Sequence, residues 1–253
     1  MSMHHSPVST EQLSMVGDWR LTPEGGVLHC GERTAVIADV HLGYEWARGA
    51  AGDCIPAHSL AETLAKLDSM LSRGPVERLV VAGDLVESPR PCSRTAAELA
   101  RLVRWLEARQ VRLMPLLGNH DRSLGVMIKE NIAIPDGYDE ALPSRLEVAG
   151  WTIAHGHLPS SAPRLIMGHH HPVLWVAGHP APCFLVGGTR IILPAFSANA
   201  AGLDVSSARW PSSWRSDSMR CFVSTGTEVL DFGPLETLPA RIDSLSSRSP
   251  RFA

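Results

Sequence analysis

Four residues near the middle of the chain combine a metal ligand, a proton carrier and a turn. Gly118, Asn119, His120 and Asp121 directly follow a largely apolar run over residues 111–116, which has the length and composition of a buried strand. An amide oxygen, an imidazole and a carboxylate at a strand end can bind a cation or move a proton. By itself the tetrapeptide could be only a turn, since Asn and Gly tolerate left-handed backbone.

The same design recurs along the chain. Four further apolar runs end in residues of the metal-ligand type: Asp39 and His41, Asp84, His155 and His157, and His169 and His171. A lone Asp or His at a strand end is usually a turn or cap residue. Five apolar runs that each deliver Asp, Asn or His indicate a shared binding site instead.

The donor types indicate metal-assisted hydrolysis of a phosphate ester. Two divalent ions roughly 3.5–4 Å apart activate water and clamp a phosphate in such reactions. Asp84, alone after Gly83, is the natural carboxylate to bridge them, and Asp39 and His41 lie two residues apart, so both can face one ion. Oxygen and nitrogen donors without sulfur suit Mn, Fe, Zn, Co or Ni and do not choose among them. We expect two divalent ions, with Mn favoured.

The elements that must position these residues follow from periodicity. Apolar residues at helical spacing predict helices that begin at Ser59 and near Thr95, each followed three residues later by a Glu that could complete a capping box. Along the chain the two predicted helices alternate with the first three apolar runs. This order favours parallel strands and right-handed crossovers. Ligands in such sheets collect beyond the carboxyl ends of the strands. Residues 43–58 are predicted as a loop, and hairpins from about residue 144 predict a second sheet.

Composition sets broad limits. The chain has 253 residues, 44% hydrophobic and 19% charged, with a formal net charge of −3, so no strong basic field favours nucleic acid. Five scattered cysteines without a C-x-x-C pair argue against a disulfide framework and for a reducing compartment. No secretory signal or membrane-length apolar run is visible, and we expect a cytoplasmic protein that does not bind membranes.

In this order, the motifs Asp-x-His, Gly-Asp, Gly-Asn-His-Asp, His-Gly and Gly-His-x-His resemble those of the calcineurin-like metallophosphoesterases, over roughly residues 34–200. The resemblance implies an α/β (α+β) fold, a four-layer αββα sandwich of two mixed β-sheets. It implies one ion on Asp39, His41, Asp84 and His171, and a second on Asp84, Asn119, His155 and His169. A hydroxide shared by the ions would attack phosphorus while His120, with Asp121 near enough to orient it, protonates the leaving oxygen.

A narrower resemblance rests on Ile-Ala-Asp-Val-His-Leu-Gly-Tyr-Glu at residues 37–45 and Ile-Leu-Pro-Ala-Phe-Ser at residues 192–197. These segments are similar to the small DNA-ligase-associated metallophosphoesterases, a group related to the nuclease subunits of double-strand-break repair. That likeness implies phosphodiester or nucleotide-derived substrates and possible association with a repair ligase or helicase.

Some assignments are less specific. Arg122 is a candidate phosphate ligand, although an Arg after Asp is as often in a surface ion pair. His157 is a candidate substrate-side group, with His155 taken as the ligand. We expect one domain over residues 17–238, with flexible termini at 1–16 and 239–253; the oligomeric state stays open.

Two rival functions remain. One is a DNA nuclease acting with ligase or helicase partners, for which Arg209, Trp210, Trp214 and Arg215 could form a small basic and aromatic groove. The other is a non-catalytic interaction scaffold, which the complete ligand set disfavours.

Overall fold

Two mixed β-sheets packed face to face carry the motifs. The computed structural model describes residues 15–131, 142–176, 178–206 and 218–239. The predicted groove residues 209–215 lie outside this part of the chain.

Among these described residues the first sheet has six strands in sequence order, β1-β2-β3-β4-β5-β6. Their bounds are Met15–Val16 (β1), Trp19–Leu21 (β2), Val27–His29 (β3), Thr34–Ile37 (β4), Arg78–Val81 (β5) and Arg112–Pro115 (β6). Strands β1 to β4 form an antiparallel meander, whereas β4, β5 and β6 pair in parallel. The expected alternation of strands and helices is therefore confirmed.

In the described part of the chain four α-helices accompany this sheet: α1 (Tyr44–Ala50), α2 (Ser59–Leu71), α3 (Ser93–Glu107) and α4 (Leu124–Asn131). The loop predicted over residues 43–58 was wrong, because it contains α1, whose seven residues are too few to show helical periodicity. The expected capping box of α2 was also wrong. Instead, the carboxylate of Glu45 on α1 accepts hydrogen bonds from the backbone N–H groups of His58 and Ser59, at 3.0 and 2.8 Å. Helix α3 begins at Ser93 and lacks a side-chain cap, so its expected capping box is absent as well.

The second sheet has nine strands in the described chain. Its bounds are Arg145–Val148 (β7), Trp151–Ala154 (β8), Leu165–Met167 (β9), Pro172–Val176 (β10), His179–Val186 (β11), Arg190–Ile192 (β12), Leu203–Asp204 (β13), Arg220–Ser224 (β14) and Val229–Pro234 (β15). The main path is β13-β10-β11-β12-β9-β8-β7, and β14 joins β11 to β15. The predicted hairpins β7–β8 and β14–β15 are both antiparallel.

Alternation along the central strands builds the cores. On β4 and the residue after it, Ala35 and Ile37 face the helices, while Val36 and Ala38 face the second sheet. Because side chains alternate with a period of two, a segment buried on both faces must be apolar, as residues 35–38 are.

The predicted class of two mixed sheets with helices is confirmed. On its outer face the second sheet packs against Leu235, in the 3-10 helix Leu235–Thr237, and against Leu238.

Strand register brings the motifs together. Ile37 pairs with Val81, and Val81 pairs with Pro115, so β4, β5 and β6 end at one level of the first sheet. In the second sheet Ala154 pairs with Met167, so β8 and β9 end together. The polar residues that follow these five strands therefore meet at one edge of the sandwich.

The domain limits stay a prediction, although β1 lies inside the segment expected to be a flexible terminus. Among the described residues, no helix has the length and apolar character needed to cross a bilayer.

Candidate metal centre

One group of predicted ligands surrounds the Nε2 atom of His155. This atom lies 3.0 Å from Asn119 Oδ1, 3.1 Å from His169 Nδ1 and 3.2 Å from Asp84 Oδ2. The other ring nitrogen of His155 donates a hydrogen bond to the carbonyl of Ala82 at 3.0 Å, which fixes the ring and leaves Nε2 as the ligand atom. These four residues are the set expected for the second ion.

A second group contains Asp39, His41 and His171, whose candidate ligand atoms lie within 4.8 Å of one another. His171 Nε2 is 3.2 Å from Asp39 Oδ1, and His171 Nδ1 donates to the carbonyl of Ala201 at 2.9 Å. Asp39 Oδ1 also lies 3.6 Å from His155 Nδ1, so the two groups adjoin. The structure thus brings all seven predicted ligands into one cluster; the bridging role of Asp84 stays a prediction.

The donor set fits a pair of divalent ions. Atoms bound about 2.1 Å from one ion lie about 3.0–3.4 Å apart, which matches the spacing around His155 Nε2. Within the described part of the chain, Asp39 Oδ1, His41 Nε2 and His171 Nε2 are buried and make no hydrogen bond of acceptable geometry. Buried polar atoms are normally satisfied, so these three require another partner, and a cation supplies it.

Backbone strain is concentrated at this cluster. Five of the nine described non-glycine residues with positive φ are predicted ligands: Asp39 (56°), His41 (53°), Asp84 (51°), His169 (71°) and His171 (45°). Left-handed backbone costs an ordinary residue roughly 1–2 kcal/mol and persists where surrounding contacts impose it. The strain indicates that the loops are shaped to aim these side chains.

Glycine makes the close approach of the loops possible. A Cβ atom on Gly118 would lie 2.1 Å from Asp84 Oδ1 and 2.3 Å from the Asp84 backbone nitrogen. A Cβ on Gly83 would lie 2.5 Å from the ring of His155. The glycines that precede Asp84 and Asn119 are therefore required for packing as well as for turning the chain.

Electrostatics keep Asp84 ready to bind a cation. Burial alone would raise the pKa of this carboxyl, but hydrogen bonds with His155 and with the backbone N–H of His120 lower the pKa to about 2. Asp84 is therefore ionised at neutral pH.

His120 contacts both loops that follow β4 and β5. Its Nδ1 lies 2.6 Å from the carbonyl oxygen of Glu87, its backbone N–H donates to Asp84 Oδ1 at 2.8 Å, and its ring meets the edge of His41 at 5.2 Å. The oxygens of Asp121, which was expected to orient His120, accept hydrogen bonds from the backbone N–H groups of Val86 and Gly118. The orienting role of Asp121 stays a prediction, and the carbonyl of Glu87 is the group that contacts the His120 ring nitrogen.

Sequence reasoning missed Glu87. Its carboxylate lies 2.8 Å from His41 Nδ1, and its carboxylate, His41 and His120 form a third close group. The loop after β5 runs beside the loop after β4, with backbone bonds from His41 N to Asp84 O and from Glu87 N to Leu42 O. A signal was present, since Glu87 stands three residues after Asp84 in the same segment.

The two predicted substrate-binding residues differ in placement. The His157 ring centroid lies 5.1 Å from that of His155 and 6.2 Å from that of His169, at the rim of the cluster. Arg122 is exposed on the 3-10 helix Asp121–Ser123, and no contact within the described residues joins it to the cluster. Both roles stay predictions.

Two cavities have predicted ligands in their walls. One, of about 320 Å³, has His171 in its wall, and the other, of about 610 Å³, has His155 and His157 in its wall.

Two mixed sheets that present seven oxygen and nitrogen donors at one edge define a metallohydrolase. Comparison with known proteins gives the family: the model of the calcineurin-like phosphoesterases matches residues 32–183. The match spans more than half of the chain, and the chain therefore belongs to the calcineurin-like phosphoesterase family. It is a phosphoester hydrolase of a metal-dependent family.

A solved structure shares the fold. The crystal structure of Pseudomonas putida nuclease MPE is similar with a TM-score of 0.62 and 22% sequence identity, over 84% of this chain and 94% of that chain. At this identity the likeness shows the architecture of the two chains.

Proposed function

We propose that the chain hydrolyses phosphodiesters, with Mn²⁺ as the favoured ion at both sites. The observation that carries the proposal is the convergence of the seven donors, with a cavity next to each ligand group. A diester has two ester arms, and the cavity at His171 and the cavity at His155 give each arm a place. A monoester would need only one.

The predicted residues have separate roles in metal binding and proton transfer. When bound, the two ions would supply the nucleophile and neutralise phosphoryl charge. Asp39, His41, Asp84 and His171 would hold one ion; Asp84, Asn119, His155 and His169 would hold the other. Since a carbonyl oxygen only accepts, the 2.6 Å contact with Glu87 requires a proton on His120 Nδ1. Delivery of a proton to the leaving oxygen then falls to Nε2, which requires a doubly protonated ring; the transfer leaves His120 neutral, with its remaining proton on Nδ1.

His120→Asn tests this assignment. Loss of a general acid typically costs ~10²–10⁴ in rate, and the loss should be large for a dithymidine dinucleotide, whose leaving alcohol needs a proton. It should be much smaller for bis-p-nitrophenyl phosphate, whose leaving group departs as the anion. Both esters are assayed with Mn²⁺, and bound metal is counted by elemental analysis. His179→Asn, an exposed histidine at the start of β11, is the matched control.

Two outcomes would overturn the proposal. A wild-type protein that holds two ions per chain but cleaves neither diester is not a phosphodiesterase. A His120→Asn variant that cleaves the dinucleotide at the wild-type rate removes the role given to His120.

A second candidate function is cleavage of DNA beside a ligase or helicase, within the DNA-ligase-associated group. It is supported by the fold shared with the Pseudomonas putida nuclease and by the segments at residues 37–45 and 192–197. The net charge of −3 gives no broad basic field for a long duplex, which favours short or nucleotide-sized substrates. Linear and hairpin DNA, tested beside the dinucleotide, would decide between the two.

A further inference from the structure

An exposed tryptophan lies beside the candidate metal centre. Trp175 on β10 is 44% exposed. It lines the cavity of about 320 Å³ that has His171 in its wall. The metal ligand and the tryptophan therefore share one pocket.

The floor of this pocket is a flat apolar face. Trp175 pairs across the β10–β11 hairpin with Pro180, and Val173 pairs with Pro182. Residues two apart on a strand face the same side, so these four side chains lie on one face of the hairpin, and all four line the cavity. Tryptophan and proline together make a smooth surface on which a planar ring can stack.

The opposite wall is fixed to the metal-binding loops. It runs over residues 195–202, where Ser197 N–H donates to the carbonyl of Asp39 at 3.0 Å and the carbonyl of Ala201 accepts from His171 Nδ1 at 2.9 Å. Just beyond the wall, Leu203 N–H donates to the carbonyl of His171 at 2.9 Å. Because two metal-ligand segments hold the wall, the pocket has a set position relative to the ions.

The lining selects an uncharged, apolar occupant. Among the described residues that line it, His171 is the one titratable side chain; the rest are proline, valine, tryptophan, alanine, glycine and one serine. The Ser197 hydroxyl already accepts the backbone N–H of Asn199 at 3.2 Å. A volume of about 320 Å³ is at the lower end of the ~300–1,000 Å³ usual for ligand sites, enough for one ring system. The cavity beside His157, by contrast, has Arg145 and Glu147 in its wall.

We propose that the pocket between Trp175 and residues 195–202 binds a nucleobase of the substrate, stacked on the Trp175 indole, while the adjoining phosphate lies at the metal centre. This rests on the proposed phosphodiesterase activity and narrows its substrates to nucleotide-derived diesters. Stacking on an aromatic side chain needs a flat partner with a π-face, which every base has.

Two diesters with the same leaving group test the base site. Thymidine 5′-(p-nitrophenyl phosphate) and methyl p-nitrophenyl phosphate differ only in the arm that carries the base. Loss of one stacking contact corresponds to about 5- to 150-fold in affinity. We therefore expect kcat/KM of the wild type to favour the thymidine ester by a factor in that range, chiefly through KM, because stacking binds ground and transition states alike.

Substitutions of Trp175 should change this preference alone. Trp175→Ala and Trp175→Leu should bring it close to one and leave the methyl ester unaffected, whereas Trp175→Phe, still planar, should keep most of it. The Leu variant separates stacking from simple apolar contact. Val126→Ala is the matched control, since Val126 on α4 is 46% exposed and does not line this cavity.

Binding without turnover gives a second readout. By equilibrium dialysis with Mn²⁺, wild-type protein should bind deoxyadenosine 5′-monophosphate more tightly than inorganic phosphate, and Trp175→Ala should weaken only the nucleotide. If neither diester is cleaved but the nucleotide still depends on Trp175, the proposed function fails and the base site stands. If both diesters are cleaved equally well, or Trp175→Leu keeps the preference, the base site is refuted and hydrolysis stands.

Discussion

Replacement of Gly118 by alanine should disable the metal centre through a single methyl group. The new Cβ would meet Asp84 at 2.1 Å from Oδ1 and 2.3 Å from the backbone nitrogen, where ordinary contact begins at 3.4 Å. Relief of the overlap requires the two loops to separate by about 1.1–1.3 Å. The side chain of Asp84 cannot simply turn away, because the overlap includes its backbone and because its Oδ1 accepts the N–H of His120.

The expected magnitude follows from that displacement. A misplacement of about 1 Å in a catalytic site can cost about 10²-fold in rate, so kcat/KM for bis-p-nitrophenyl phosphate with Mn²⁺ should fall by about that factor. Elemental analysis should show fewer than two ions per chain, since Asp84 and Asn119 move apart. Calorimetry should show a lower melting temperature as the strained loops separate.

Gly125→Ala is the matched control for this change. Gly125 lies in α4, and a Cβ there would meet no atom within 4 Å. Alanine in a helix should raise the free energy of unfolding by about 0.5–1 kcal/mol and leave hydrolysis unchanged. A Gly118→Ala protein with two ions per chain and the wild-type rate would refute the steric reasoning, because the loops would then not be as close as the structure has them.

Three further predictions concern single contacts. Asp84→Ala should leave fewer than two ions per chain by elemental analysis, because one carboxylate is expected to serve both ions; two retained ions would contradict its bridging role. Glu87→Gln should weaken the 2.8 Å contact between the Glu87 carboxylate and His41 Nδ1. Metal affinity should therefore fall by about 10–100-fold, as it usually does when a carboxylate behind a ligating histidine is lost. An unchanged affinity in a titration with Mn²⁺ would count against that contact. Burial raises the pKa of Glu24, but the Arg73 guanidinium, whose Nη2 lies 2.7 Å from Oε1, and other hydrogen bonds bring it below 4.5. The pair should therefore stabilise the fold by ~1–3 kcal/mol above pH 4.5, and this stabilisation should be lost as pH falls through the lowered pKa. Urea unfolding of wild type and Glu24→Gln from pH 7 to pH 3 should show that the difference between their free energies of unfolding shrinks. A difference that stays constant with pH would contradict the linkage.

Predictions from the sequence were most successful for residues whose type permits one structural role at their position. Apolar runs that end in Asp, Asn or His predicted both the strands and the ligands, since a buried strand must be apolar and polar residues at its end must have a purpose. The seven donors do converge. Helix α1 was missed because tertiary contacts of Glu45, and not periodicity, hold it.

The contacts of Asp121 and Glu87 are visible only in the folded chain. Both are acids close to a motif, and the sequence favoured Asp121 because it adjoins His120. In the structure the loop after β5 runs beside the loop after β4, which places Glu87 on His41 and His120 and turns Asp121 toward backbone N–H groups.

The sequence by itself determined the class of chemistry, because donor type and strand-end position depend on local composition. Which residues orient the donors, and that an apolar pocket with Trp175 in its floor lies beside one of them, depended on the tertiary structure. Those features arise from the register of strands and from the crossing of loops that are distant in the chain. The local sequence around such a side chain does not indicate which residues it will contact.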